Sequence, residues 1–129
     1  MEITTSQEQG RVPVTVLHVQ GNIDSASYEQ FQRRAEQAIK SGAKNLVIDL
    51  REVPYMSSAG LRALNAIYNQ LREGEDPNAV TKGVSAGTYK SPHLKLLAPS
   101  KRVMETLKMS GFDMFLDIQS NLKDAVASF

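Results

Sequence analysis

The segment Leu46–Tyr68, which reads LVIDLREVPYMSSAGLRALNAIY, constrains this chain more than any other part of it. It passes from an apolar strand through a short polar turn to Ser57 and Ser58, and an amphipathic helix follows. The first amides of a helix have no intrahelical acceptor, and the helix dipole favours negative charge at that end. The segment therefore predicts a serine at the mouth of a helix, where it can cap the helix, bind an anion, act as a nucleophile or accept a phosphate.

Composition narrows the class of protein. A length of 129 residues suits one compact domain, and a formal net charge of +1 argues against a general nucleic-acid surface. The chain has no cysteine and only two histidines, His18 and His93, so we predict no metal site and no cofactor. The polar start MEITTSQEQG lacks the features of a signal peptide, and no apolar run approaches a membrane span, so we expect a cytoplasmic protein without membrane insertion.

Hydrophobic periodicity predicts an alternation of strands and helices. Ser27 and Gln30 have capping-box spacing, and Pro13 suggests an edge position for its strand. The predicted elements are a short strand at Ile3 and Thr5, a strand over 12–19, a helix from Ser27 to Gly42, a strand Asn45–Leu50, a helix with Leu61, Leu64, Ile67, Tyr68 and Leu71 on its apolar face, a strand Leu94–Ala98, a helix capped by Ser100 with Val103, Leu107 and Met109, a strand Phe115–Ile118, and a terminal helix capped by Ser120.

These elements predict an α/β fold, a single-domain mixed sheet with helices packed on it. The stretch Glu73–His93 is rich in glycine, proline and serine and has no period, so we predict a long loop insertion there within one domain over residues 1–129.

Three pieces in this order resemble the STAS domain: a strand followed by Gly-Asn-Ile-Asp, then VIDLREVPYMSSAGL, then Lys-Met-Ser-Gly-Phe. The chain is most similar to the free-standing bacterial anti-sigma factor antagonists, and the resemblance covers nearly all of it apart from the predicted loop. The family motif is Asp-Ser-Ser-Gly. Ser57 stands at the position of the motif aspartate, Ser58 at the first serine and Ala59 at the second, and Lys101 replaces a proline that is usual after Ser100.

The resemblance implies a regulatory module that is not an enzyme. It implies that Ser58, or alternatively Ser57, accepts a phosphate from an anti-sigma factor that is also a serine protein kinase, and that a PP2C-type phosphatase removes it. The unphosphorylated protein would bind the kinase. The implied partner-binding residues are Asp24, Ser25, Tyr55, Met56, Ser57, Ser58, Ala59 and Gly60, together with the front of the second helix.

Several other interpretations remain open at the level of sequence. Ser58 could be only a helix cap or first-turn residue, and Asp24 only an Asx-turn residue. A serine hydrolase would need His18 or His93 as a base, and the sequence has no Gly-x-Ser-x-Gly elbow around Ser58. A nucleotide-binding module would use Lys82 or Lys90, without a P-loop motif. A STAS scaffold subunit of a signalling assembly or transporter complex would need no kinase cycle.

Overall fold

The fold is built on one five-stranded sheet. The computed structural model describes residues 1–71 and 91–129. Strand order follows the sequence; β1 is antiparallel to β2, and the strands from β2 to β5 are parallel. The strands are β1 (Glu2–Gln9), β2 (Pro13–Gln20), β3 (Leu46–Glu52), β4 (Leu94–Leu97) and β5 (Asp117–Gln119). The described helices are α1 (Tyr28–Lys40), α2 (Ser58–Leu71), α3 (Lys101–Ser110) and α4 (Leu122–Ala127), with a 3-10 turn at Phe112–Met114.

Strand β3 is buried on both faces, which explains its nearly continuous apolar sequence. Alternate side chains of a strand point to opposite faces of the sheet, so its apolar residues divide between two cores. Leu46, Ile48 and Leu50 enter the larger core, to which α1, α2 and α3 contribute. Val47 enters a smaller core that α4 closes with Ala125 and Val126. The predicted mixed sheet with helices packed on it is therefore confirmed.

The predicted starts of α1 and α3 agree with the structure, but only one of the two predicted capping hydrogen bonds is formed. Helix α1 begins after Ser27 as predicted, but the Ser27 side chain makes no capping bond and instead donates to the Asn22 carbonyl at 2.6 Å. The predicted capping box with Gln30 is therefore wrong, because the preceding loop uses the Ser27 hydroxyl. Ser100 does cap α3 by accepting a hydrogen bond from the Val103 amide, and Gly111 ends that helix with φ +82°.

Other details of the predicted elements are corrected by the sheet. Strand β2 lies between β1 and β3, so Pro13 does not mark an edge strand; it is the first residue of an interior one. The last strand is Asp117–Gln119 and not Phe115–Ile118, because the 3-10 turn occupies the chain just before it. Asn121, not Ser120, caps α4 by accepting from the Asp124 amide. Met109 is 90% exposed and lies outside the apolar face of α3.

The predicted loop at 73–93 falls mostly outside the described residues, so residues 73–90 of it stay a prediction. Its last three residues are described, and they belong to the folded domain. The Ser91 side chain is buried and its amide donates to the Phe115 carbonyl at 2.7 Å, while the His93 carbonyl accepts from the Leu46 amide at 2.8 Å. Residues 91–93 form neither helix nor strand, and β4 begins at Leu94 as predicted.

The structure bears on two features considered above, membrane insertion and metal binding. Within residues 1–71 and 91–129, no helix is long and apolar enough to cross a membrane. The same residues contain no group of three or more histidine or acidic side chains placed to hold a metal ion.

A polar cluster joins the first three strands on the face that α4 partly covers. The His18 ring hydrogen-bonds Asp49 through Nδ1 at 2.8 Å and Ser6 through Nε2 at 2.9 Å. Arg51 donates to both oxygens of the Asp49 carboxylate, at 3.0 and 2.8 Å. Burial by itself raises the pKa of Asp49, and the hydrogen bonds from Arg51 and His18 more than offset that effect, so the pKa lies below its ordinary value.

The lowered pKa predicts how stability depends on pH. Ionised Asp49 stabilises the fold above its unfolded-state pKa of 3.8, and this contribution is lost as the pH falls through the lower folded-state pKa. We therefore expect Asp49→Asn to lower the free energy of unfolding by about 1–3 kcal/mol at neutral pH and by less near pH 3. Urea unfolding at both pH values measures the difference. The exposed variant Glu29→Gln should change the free energy by less than about 0.5 kcal/mol, and an equal loss for Asp49→Asn at both pH values would contradict the prediction.

Candidate functional site

The candidate site lies where the carboxyl ends of the parallel strands β2, β3 and β4 meet, which is where open α/β sheets commonly place their sites. The loop after β2 and the loop after β3 pair with each other beyond the sheet. The Ile23 amide donates to the Tyr55 carbonyl at 3.0 Å, and the Ser57 amide donates to the Ile23 carbonyl at 2.9 Å. Ile23 and Met56 form an isolated parallel bridge. This pairing brings the Asp24 loop to the start of α2.

Gly60 permits the close contact between these loops. A Cβ atom at Gly60 would lie 2.7 Å from the Met56 Cγ atom and 2.9 Å from both Cγ2 and the carbonyl oxygen of Ile23. Any larger residue would have to push the two loops apart. The glycine therefore serves packing within this chain, and its role in the approach of a partner backbone stays a prediction.

The two serines have different environments. Ser57 precedes α2 and is half-buried; its carbonyl accepts from the Leu61 amide at 3.0 Å, and its hydroxyl accepts from the Gly60 amide at 3.4 Å. Ser58 is the first residue of α2 and is exposed, and its hydroxyl makes no hydrogen bond with the described part of the chain. Ser57 therefore acts as the cap, which leaves the Ser58 hydroxyl available.

Asp24 forms the Asx turn that the sequence left open. Its Oδ1 atom accepts from the Ala26 amide at 3.0 Å, and its own amide donates to the Ser27 hydroxyl at 3.1 Å. Its backbone carbonyl accepts from the Tyr28 amide at 2.9 Å, so the same residue supports the start of α1. The carboxylate is half-exposed, and the neighbouring Ser25 is exposed. The Asx turn fixes the orientation of the carboxylate without removing it from the surface.

The predicted partner-binding residues divide into two groups by exposure. Ser25 and Ser58 are exposed, and Asp24, Tyr55 and Ser57 are half-buried. Met56, Ala59 and Gly60 are buried, with Met56 only 1% exposed, so these residues are not part of the accessible surface. They lie beneath the exposed residues and hold them in place.

Sequence reasoning missed Arg102. Its guanidinium lies 4.8 Å from the centre of the Tyr55 ring, a cation–π contact between the first turn of α3 and the loop that follows β3. The Ser100 hydroxyl also donates to the Val53 carbonyl at 3.4 Å, which ties the start of α3 to the same loop. The sequence could have indicated this contact, because the carboxyl ends of neighbouring parallel strands share one edge of a sheet. The loop after β4, which leads into α3, should therefore border the loop after β3.

The histidines give no support to a hydrolase at Ser58. Both ring nitrogens of His18 are engaged by Asp49 and Ser6, and the Nδ1 atom of His93 pairs with Asn45. The hydrogen bonds from Ser6 to His18 and from His18 to Asp49 join the same residue types as a hydrolytic triad. Arg51, however, donates hydrogen bonds to both oxygens of the Asp49 carboxylate. We assign this cluster a structural role in holding β1, β2 and β3 together.

The chain is similar in sequence to the STAS domain and to an anti-sigma factor antagonist. A family model described as the STAS domain matches residues 5–75, which is more than half of the chain. BtrV of Bordetella bronchiseptica, a protein assigned as an anti-sigma factor antagonist, is 26% identical over 129 residues, covering 100% of this chain and 95% of BtrV.

Solved structures show the same fold. An anti-sigma factor antagonist from Mycobacterium paratuberculosis matches with a TM-score of 0.71 at 22% identity, over 98% of this chain and 93% of that one. The phosphorylated form of Bacillus SpoIIAA matches with a TM-score of 0.59 at 18% identity, over 95% of this chain and 96% of that one. The mixed sheet described above is thus shared with SpoIIAA.

The contact at Gly60 gives a testable prediction. We expect Gly60→Ala to lower the free energy of unfolding by about 1–3 kcal/mol, because the added methyl group would overpack against Ile23 and Met56. Denaturant unfolding of the purified variant measures this loss. Asn65→Ala, at an exposed position of the same helix, is the control and should change stability by less than about 0.5 kcal/mol. Equal stabilities of the Gly60→Ala variant and the wild type would show that the loops are not packed as described.

Proposed function

The chain belongs to the STAS domain family, and we propose that it is an anti-sigma factor antagonist of the bacterial cytoplasm whose binding to a partner is controlled at Ser58. The partner would be an anti-sigma factor that is also a serine protein kinase. A PP2C-type phosphatase would reverse the modification. The protein itself would act by binding and would need no cofactor.

The observation that carries the proposal is the exposed Ser58 hydroxyl at the first position of α2, which makes no hydrogen bond within residues 1–71 and 91–129. Ser57 already supplies the capping oxygen, so modification of Ser58 would not remove the cap of α2. Two relatives support the assignment. BtrV is named for anti-sigma factor antagonism, and SpoIIAA, which shares the fold, has been solved in both unphosphorylated and phosphorylated forms. Ser57 remains the alternative acceptor, but its half-burial and its capping bond make it the less accessible hydroxyl.

The proposed binding surface is small and preorganised. Asp24, Ser25, Tyr55 and Ser58 reach the surface from two loops whose backbones hydrogen-bond to each other. Arg102 extends this surface through its contact with the Tyr55 ring. Because the loops are held in the free protein, a partner has little backbone to order on binding, which lowers the entropic cost of association.

Phosphorylation would switch this surface through local charge. A phosphate on Ser58 adds about −1.5 to −2 charges at neutral pH, and the N-terminus of α2 can accommodate that charge. A partner surface fitted to a neutral Ser58 hydroxyl, on a surface that already carries the Asp24 carboxylate, would not accommodate it. Like charges brought together at an interface cost several kcal/mol, enough to weaken binding by orders of magnitude. The fold of this chain would not need to change.

The proposed switch predicts how substitutions at Ser58 change the affinity for the partner kinase. We expect Ser58→Ala to keep binding to the partner kinase, because a small neutral group remains, and Ser58→Glu to weaken binding at least about tenfold. Calorimetric titration of the variants into the kinase measures both. Ser120→Glu places the same charge at an exposed serine between β5 and α4, outside the proposed surface, and should bind like the wild type. Equal affinities for all four proteins would remove Ser58 from the interface.

The second prediction concerns the modification itself. Incubation with the partner kinase and ATP should place one phosphate on Ser58, because its hydroxyl is the accessible one, and tandem mass spectrometry locates it. The Ser58→Ala protein is the control and should remain unmodified. Phosphate on Ser57 alone would transfer the switch to that residue. Partner binding without any phosphate transfer would contradict the switch and support a STAS scaffold.

A further inference from the structure

We propose that the outer edge of β1 is a docking site for an extended, acidic segment of another protein, which would add a strand to the sheet. The cleft beside this edge lies at the opposite end of β2 and β3 from Ser58, and β1 contributes no residue to the binding surface proposed above, so the inference is independent of that function. The inference depends on the direction of the backbone groups of β1 and on the charge of the cleft beside it.

The backbone direction follows from the register of the sheet. The Thr15 amide donates to the Asn45 carbonyl at 2.9 Å, so the backbone groups of Thr15 point from β2 toward β3. Backbone groups alternate in direction along a strand, and those of Val16 therefore point toward β1. Val16 lies opposite Ser6, and the two residues form a hydrogen-bonded pair. By the same alternation, Ile3, Thr5 and Gln7 direct their amides and carbonyls away from the sheet.

One side-chain contact supports this direction. The Ile3 carbonyl accepts a hydrogen bond from the Nη2 atom of Arg34 at 3.5 Å, which is possible only if that carbonyl faces outward. In the described part of the chain, no backbone group pairs with the outward amides and carbonyls of Thr5 and Gln7. An eight-residue edge with such groups is a template for strand addition. Strand β1 contains no proline or lysine, the residues that commonly block such edges.

The cleft beside this edge determines the kind of partner. It has a volume of about 820 Å³ and lies between the end of α1 and the first two strands, with Thr5, Gln7 and Thr15 among its lining residues. Three cationic side chains line it, those of Arg34, Lys40 and Lys44, and no carboxylate does so among the described residues. The two glutamates of β1, Glu2 and Glu8, occupy even positions and so point to the other face of the sheet.

An acidic segment fits this site better than a second copy of the chain. A strand added at β1 would direct every other side chain over the cationic cleft, and carboxylates there would be attracted to its three cations. Antiparallel pairing of two β1 edges would instead bring two cationic clefts to the same face of one continuous sheet. That arrangement juxtaposes like charges, which disfavours it. The outward groups from Ile3 to Gln9 would engage a segment of about six residues.

The test uses a defined peptide, acetylated, amidated and composed of alternating threonine and glutamate over eight residues. The reporter is amide hydrogen exchange of the full-length protein at low salt, followed by NMR. Saturation with the peptide should slow exchange at the outward amides of Thr5 and Gln7 at least about tenfold. The amides of Thr4 and Ser6, already paired with β2, should change little. The same peptide with lysine in place of glutamate should not bind.

Two variants separate pairing from simple charge attraction. Thr5→Pro removes one outward amide that the sheet does not use, so the protein should stay folded and lose at least about tenfold in peptide affinity. The double variant Lys40→Glu, Lys44→Glu should lose a similar factor, whereas Lys123→Glu on α4 should lose none.

Three outcomes would overturn the proposal. Peptide binding without slower amide exchange at Thr5 and Gln7 would show that the peptide is held by charge attraction alone and adds no strand. Equal binding of the lysine peptide would exclude the acidic partner. Slower exchange at these amides as the protein concentration rises, without any peptide, would show that a second copy of the chain occupies the edge.

Discussion

The backbone pairing between Ile23 and the segment Tyr55–Ser57 is the interaction on which the candidate site depends. It continues the parallel alignment of β2 and β3 beyond the last pair of the sheet itself. Two loops that would otherwise move separately thereby become one surface. Gly60 makes the arrangement possible, because any Cβ atom there would contact both Ile23 and Met56 at less than the usual separation.

This pairing also explains why buried residues occur inside a surface motif. Met56 and Ala59 are directed into the molecule, while Tyr55 and Ser58 stay accessible. The buried members give the loop a fixed position through packing, and the accessible members form the surface that we propose for partner binding. A site supported in this way can respond to one added charge without refolding, because a close-packed interior adjusts little to a change at its surface.

The two faces of the sheet serve different purposes. One face carries the large core under α1, α2 and α3, and the other combines a small apolar core with the cluster of Ser6, His18, Asp49 and Arg51. That cluster replaces apolar packing where α4 does not reach, and its members satisfy one another's hydrogen bonds. Because it connects three strands, it also fixes the register of β1, and that register determines which backbone groups face the outer edge.

Sequence alone was sufficient for much of the fold, because strand and helix periodicity are local properties. The alternating elements, the mixed sheet and the Ser100 cap of α3 follow from patterns within a few residues of each other. The resemblance to the STAS domain rested on the same local motifs.

Only the tertiary structure decided which distant residues meet. The contact of Arg102 with Tyr55, the burial of Met56 and the interior position of the strand that begins at Pro13 depend on strand order and register, which no local pattern encodes. The tertiary structure also determined which of two neighbouring side chains caps a helix. Asn121 caps α4 in place of Ser120, and the Ser27 hydroxyl bonds the preceding loop, because each side chain bonds the partner that packing brings within reach.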